Sequence, residues 1–514
     1  MRSLDAERVE RAGWCGVLFV ALTVTSFWAT GPGALAVINW DQGAYIAGFA
    51  SGKSGFTDLP WNAHFGIGHV YFAASCVARA CGATVIDGFR ALNAICFGMA
   101  GAILFSVARK LCGSRAVAAL LTLCWATFWS SAVLVLTLED NVLYMPAVAA
   151  IVAIVCQRAD HWRPRDSVWA GICCALGGLV SWQVIGYIAL AGWTALLAPT
   201  ETRPLRTRIV RIGLLGLAFF GTLVAWCGMV SMCSPHTMRT LLATLFSSPY
   251  QKFPKLPVTP LTDVRGALTT LGQAASWLLQ HRFFVFENPR PWPARGVGLL
   301  FLAVVLTVFV AATRAAVRHR RRALHTVAAT LLVYTLLVAF YRDVGFRYVV
   351  RMDYLPVLLL PLSAWAASRL PRFSRRTLAV GLLCLAVTQL SLAWRWDLRT
   401  LAARPTMKSW MPPVPPGAWY GRNGQSWFGY FRTLARGHRG ACAFLFRVQE
   451  VDFGDWQFDF DAALWSELPN HYLIGDRSAT AFWRYTPRMI DPREAQLLTR
   501  CAWMSPDARA LLAP

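Results

Sequence analysis

Negative charge is scarce in this chain. Only 26 Asp and Glu stand against 50 Lys and Arg in 514 residues, a formal net charge of +24. Such an excess invites a nucleic-acid reading, but no basic stripe is interleaved with stacking aromatics, so no nucleic-acid partner is expected. Lysine is rare beside arginine, which we read as genome composition rather than function. No cysteine pair has zinc spacing, and most of the 14 cysteines are scattered through apolar runs, where a thiol behaves as a small hydrophobe. There is no Walker A loop, no HExxH, no GxSxG, and no GxGxxG in a strand–turn–helix setting. Internal repeats and low-complexity segments are also lacking.

What the chain has is apolar length. Hydrophobic residues make up 56% and the mean hydropathy is +0.44. Runs near 14–37, 90–108, 115–137, 142–157, 168–182, 184–198, 209–232, 296–316, 323–341, 354–370 and 376–395 approach the ~20 residues that cross a bilayer as helix. The fold class expected is an all-α polytopic membrane protein with about eleven spans. Met1 to Ala12 is charged and precedes the first run. We read it as part of an uncleaved signal anchor rather than a signal peptide cleaved near Gly33-Ala34-Leu35-Ala36, because the orientation requires this span.

Sidedness follows from the arginines. They fall largely in short loops: Arg109-Lys110 to Arg115, Arg158 to Arg165, Arg203 to Arg211, Arg314 to Arg322, and Arg369 to Arg376. Such loops belong on the cytoplasmic side. A twelfth run, 64–81, decides parity. If it crossed in addition to 90–108, every basic loop would lie outside. Its His64-Phe65-Gly66-Ile67-Gly68-His69 start makes it the poorer span, so it is expected as an interfacial or re-entrant helix. The N-terminus is then cytoplasmic, and 38–89, 138–141, 233–295, 342–353 and the tail face outward.

The tail differs in composition. Pro412-Pro413 and Pro415-Pro416-Gly417 stiffen a linker over 396–417. Alternating stretches such as Ala441 to Val448 point to strands, and 418–514 is expected as a small extracytoplasmic α+β domain. Residues 1–395 form the membrane domain.

Carboxylates at a bilayer face are costly unless solvated, paired or used. Asp41 follows the first span, in Asn39-Trp40-Asp41-Gln42-Gly43-Ala44-Tyr45, and shares a helical face with Tyr45. It reads either as a general base or acceptor-orienting group, or as a helix N-cap. Glu139 and Asp140 close a later span, before Asn141. Capping again accounts for one of them, while two neighbouring carboxylates also suit an acceptor or a divalent cation. Opposite charge lies in Arg342, Arg347 and Arg351, on a face where arginine clusters are disfavoured. Arginine's fork suits phosphate oxygens, and the competing reading pairs Arg342 with Asp343 and Arg351 with Asp353. Arg90, Lys252, Lys255 and Arg282 are further cations on the outer side. Asp459-Phe460-Asp461 has the DxD form, but it is better read as the solvated face of a strand.

In order and sidedness these features resemble the glycosyltransferase C superfamily. Its polytopic enzymes use a sugar carried on a polyprenyl phosphate. The matching residues are Asp41 in the first outer loop, His64 in an amphipathic stretch and Arg90 opening the next span. The basic turn Arg109 to Arg115, the second acidic motif Glu139-Asp140, and Arg347-Tyr348 through Arg351 to Pro356 complete them. The match covers roughly 14–395. Two positions depart: Gln42 replaces a second acid after Asp41, and Phe65-Gly66 follow His64 where prolines are usual.

The resemblance implies an inverting transferase in a bacterial inner membrane, its site facing the periplasm or exterior. Asp41 is the catalytic candidate, and Glu139 and Asp140 would bind acceptor or a metal. Arg90, Arg347 and Arg351, with Lys252, Lys255 and Arg282, would hold the donor phosphate, supported by His64, Tyr45 and Tyr348. The expected partners are a polyprenyl-phosphate sugar, membrane lipid, and a glycan, lipid or protein acceptor. No cofactor is specified beyond a divalent cation at the paired acids. Cys442 and Cys501, the only cysteines beyond the last span, are candidates for a disulfide. The alternative functions are a transporter or flippase, which would want midplane charges and an internal repeat, and a non-catalytic envelope-assembly protein.

Overall fold

The computed structural model describes residues 2–29, 66–83, 85–136, 140–181, 184–199, 204–243, 263–269, 322–339 and 353–395, together with five short strands between 443 and 485. It is mostly helical. In chain order the helices are α1 (Arg2–Ala29), α2 (Ile67–Ala80), α3 (Val85–Cys112), α4 (Arg115–Thr127) and α5 (Trp129–Leu136). A 3-10 turn, Asp140–Tyr144, leads into α6 (Met145–Arg158). Then come α7 (Pro164–Val180), α8 (Ile185–Leu197), α9 (Pro204–Cys233), α10 (Arg322–Ala339), α11 (Tyr354–Ser368) and α12 (Arg372–Arg395).

Among the described residues, three helical stretches are long and apolar enough to cross a membrane: Asp87–Cys112, Asn141–His161 and Leu205–Cys233. Ala12–Trp28, Arg115–Thr127, Ile185–Leu197 and Tyr354–Ser368 are shorter apolar helices. The run expected over 115–137 is broken at Phe128, whose ψ of 140° ends α4. Helix α2 has 14 residues, about 21 Å at 1.5 Å per residue, which is less than a hydrocarbon core. The span expected over 296–316 lies outside the described residues.

Helix α3 is the hub, packing on α1, α2, α4, α6 and α11. Small residues let α1 come close. A Cβ added at Gly98 would meet Thr23 and the Phe19 carbonyl, and one at Gly101 would meet Leu22. Phe97 stacks on Trp125 of α4 with ring centroids 4.7 Å apart. The α3–α4 corner uses Gly113 at φ 70°, a conformation that suits glycine at a helix C-terminus, and Ser114 caps α4 by accepting from the Val117 amide. A second pair, α7 and α9, closes over Ala175, Leu179, Leu223, Cys227 and Val230.

Hydrogen bonds sort the helix ends into two sets. At one end Lys110 donates to the Gln157 carbonyl, Arg211 to Trp162, Ala198 and Pro199, and Arg322 to Leu197. Arg115 pairs with Glu10 at this same end. Because these helices alternate in direction, Phe27, Arg90, Tyr144, Tyr187 and Asp353 lie toward the other. The described basic turns therefore gather away from the second acidic turn.

The tail is described only as strands. β1 (Ala443–Arg447) pairs in parallel with β3 (His471–Gly475), Ala443 opposite His471. β5 (Trp483–Tyr485) lies between β2 (Gln449–Glu450) and β4 (Ser478–Thr480), antiparallel to both.

Candidate functional site

Several helix ends meet around a buried carboxylate. Asp353 occupies the N-cap position of α11, yet its side chain makes no capping hydrogen bond. It accepts instead from the Tyr144 hydroxyl, 209 residues away in sequence. Both partners are buried, Asp353 at 4% exposure and Tyr144 at 2%. Burial pushes the Asp353 carboxyl up to about 7, against hydrogen bonds from Tyr144 and from the Tyr354 and Asp353 amides, which pull it down.

Tyrosines wall this carboxylate. Tyr354 stacks on Tyr334 of α10, with centroids 4.8 Å apart and planes 14° from parallel. Tyr334 in turn lies 5.3 Å from Tyr187 of α8. Its ring can approach α8 because residue 186 is glycine; a Cβ there would meet the ring directly. Thr335 and the Tyr354 hydroxyl share a 3.3 Å hydrogen bond. The result is an aromatic scaffold that fixes the first turn of α11 and, through Tyr144, the turn that carries Asp140.

That turn is short and tightly held. Asn141, Val142, Leu143 and Tyr144 are all buried. Asp140 opens the 3-10 turn, though its side chain is outside the described set. Glu139 lies outside it altogether, as do Asp41, Tyr45, His64, Lys252, Lys255, Arg282, Arg347, Tyr348, Arg351, Cys442 and Cys501.

Arg90 is described, and it is occupied. The residue is buried at 5% exposure. One guanidinium nitrogen contacts Asp87 at 2.6 Å, another donates to the Phe27 carbonyl at 2.9 Å, and the group sits 4.2 Å over the Phe27 ring. Phe27 is near the C-terminus of α1, where carbonyls lack intrahelical partners and the dipole favours a cation. Arg90 therefore joins the end of α1, the helix that precedes the loop bearing Asp41, to the start of α3.

Two features were not singled out from sequence. Tyr71 donates to Asn93 at 2.9 Å and stacks on Phe89 at 3.8 Å. His69 is buried, edge-on to Trp226 at 5.9 Å. The alternation of polar and apolar residues in Gly66-Ile67-Gly68-His69-Val70-Tyr71 marks an amphipathic face, but the partners belong to other helices. No group of three or more His, Cys, Asp or Glu able to hold a metal occurs among the described residues.

No family model matches the chain, and no curated protein matches it. Solved structures do resemble it. ArnT from Cupriavidus metallidurans, bound to undecaprenyl phosphate, is similar at 17% identity and a TM-score of 0.49, over 82% of this chain and 70% of that one. Arabinofuranosyltransferase AftD from Mycobacteria is similar at 14% identity and a TM-score of 0.39, over 88% of this chain. This chain spans about a third of the latter protein, 32% of its length. At these scores neither similarity carries residue roles into this chain.

Proposed function

We propose that this protein is an integral-membrane glycosyltransferase. It takes a sugar from a polyprenyl-phosphate carrier and transfers it, with inversion, to an extracytoplasmic glycan, lipid or protein. The observation that supports this reading best is the Tyr144–Asp353 hydrogen bond. It brings the turn opened by Asp140 against Asp353 at the start of α11, two residues after Arg351 in sequence.

The chemistry follows from charge. The acceptor hydroxyl attacks the anomeric carbon on the face opposite the phosphate. Asp41 takes the hydroxyl proton, the anomeric C–O bond to phosphate breaks, and the polyprenyl phosphate leaves with the electron pair. Arg347 and Arg351 hold that phosphate and stabilise its growing charge, with Lys252, Lys255 and Arg282 adding positive potential. Glu139 and Asp140 bind the acceptor or a divalent cation. His64, Tyr45 and Tyr348 support the site. Arg90 acts one step back, by fixing the end of α1, the helix that precedes the Asp41 loop, to the start of α3. The phosphate already activates the sugar, so positioning and charge stabilisation suffice.

In the same reading the chain has about eleven spans in a bacterial inner membrane, with a cytoplasmic N-terminus. The α+β tail is periplasmic or extracellular, and Cys442 pairs with Cys501 in that oxidising compartment.

The test is turnover by purified protein in lipid nanodiscs, supplied with polyprenyl-phosphate sugars and envelope acceptors. Asp41→Asn should lower turnover on the order of 10²-fold or more while leaving thermal stability and donor binding in place. An Asp41→Asn protein with full activity would remove the catalytic assignment. A deletion strain with unaltered surface glycans and glycoproteins by mass spectrometry would remove the transferase reading.

A further inference from the structure

We infer that Tyr144 and Asp353 are a positioning pair whose hydrogen bond holds the turn opened by Asp140 against the first turn of α11. The inference rests on the transferase reading above for its catalytic consequence, and on geometry alone for the tie itself.

Consider what Asp353 does not do. An aspartate at an N-cap position ordinarily accepts from the second or third amide of its helix. Asp353 holds that position without doing so, and its carboxylate reaches Tyr144. Beside its contacts to the Asp353 and Tyr354 amides, the carboxylate thus makes one that joins two parts of the fold. Tyr144 is similarly placed at the last residue of the 3-10 turn, where its hydroxyl leaves the turn for α11.

In sequence the tie lies close to the residues that would react. Asp140 is four residues before Tyr144, and Arg351 two before Asp353. On its other side the tie is anchored. Tyr354, next in chain, is stacked on Tyr334, and Tyr334 is seated on the Gly186 backbone. A site held by side chains whose own rotamers are locked keeps the tolerance that transfer requires. Asp353 is not itself a catalytic residue in this account: it is buried, and one of its oxygens is committed to Tyr144.

Asparagine separates positioning from acid–base work, because its amide oxygen still accepts from a tyrosine hydroxyl. Tyr144→Phe and Asp353→Ala should each lower kcat on the order of tenfold, the scale of one buried hydrogen bond lost, with the donor KM changing much less. The double variant should be no worse than either single one. Asp353→Asn should recover most of what Asp353→Ala loses. Amide exchange over residues 140–144 should accelerate in Asp353→Ala and return toward wild type in Asp353→Asn.

An Asp353→Asn protein as impaired as Asp353→Ala would mean that the carboxylate is used as such, and the proposal would fall. Multiplying losses in the double variant would also overturn it. If exchange responds as stated but no variant, nor the wild type, uses a polyprenyl-phosphate sugar, the tie stands and the transferase reading fails. If turnover is present and exchange at 140–144 is unmoved, the reading stands and the tie fails.

Discussion

Two buried charged residues mark opposite ends of the helical bundle, and they are satisfied in different ways. Arg211, 6% exposed, donates to three backbone carbonyls: Trp162 at 2.8 Å, Ala198 at 3.1 Å and Pro199 at 3.0 Å. All three belong to chain within 49 residues of it, where α8 ends and α7 is about to begin. Carbonyls neither titrate nor move far, so this end is closed and its arginine is a splice. Asp353 at the other end is met by a hydroxyl from a turn 209 residues away and surrounded by tyrosines. Its partner is a side-chain hydroxyl brought in from a distant turn. Burial of charge is common to both ends. The difference is in the partner: backbone carbonyls alone on one side, a tyrosine hydroxyl from a distant turn beside local amides on the other.

A functional Arg211 would erase this difference between the two ends. Arg211→Met would leave three carbonyls near helix ends without their donor, at a cost on the order of 3 kcal/mol. We expect a lower melting temperature in nanodiscs and unchanged turnover per folded molecule. Unchanged stability with weakened donor binding would mean that this end also handles ligand.

A smaller effect, conditional on pH, sharpens the contrast. The Asp353 carboxyl rises from 3.8 to about 7 on folding, chiefly through burial. The folded state thus favours the protonated form. This contribution is fully present below about pH 4 and is lost as pH rises to about 7. The titratable groups facing it are Tyr144, Tyr187, Tyr334 and Tyr354, and tyrosines ordinarily ionise near 10, outside this window. Melting temperature measured from pH 4 to 7 should fall more steeply in wild type than in Asp353→Asn. Parallel curves would show that Asp353 ionises as it does in water.

The contrast also explains what could be seen in the sequence. Apolar runs and basic turns are local signals, and they point to a helical bundle whose described basic turns collect at one end. The acidic turn after α5 is likewise local, and Asp140 opens it. Break points are less visible: nothing in Trp125-Ala126-Thr127-Phe128-Trp129 announces that α4 stops there. Partnerships are hardest to see. Asp353 reads naturally as the partner of Arg351, two residues away, and no spacing rule points from it to Tyr144. Arg90 is hard to read for the same reason, because an arginine opening a span resembles a free phosphate ligand until the α1 carbonyl beneath it is known.

Arg90 supplies the smallest and most discriminating test, since it lies toward the Asp353 end but is bonded like Arg211. Its fork serves Asp87 and the Phe27 carbonyl together, and its plane covers the Phe27 ring. Lysine would keep the charge but lack the planar fork, so Arg90→Lys can satisfy one partner well and not both. The loss should be about 1 kcal/mol, one hydrogen bond of the usual net size. If Arg90 is a splice between α1 and α3, melting temperature falls slightly and the donor KM does not move. If it also touches the donor phosphate, the donor KM rises while stability falls by the same small amount, because a bidentate contact becomes a single one. The first outcome extends the backbone-splicing role to both ends of the bundle. The second would make Arg90 the one described cation in which both roles meet.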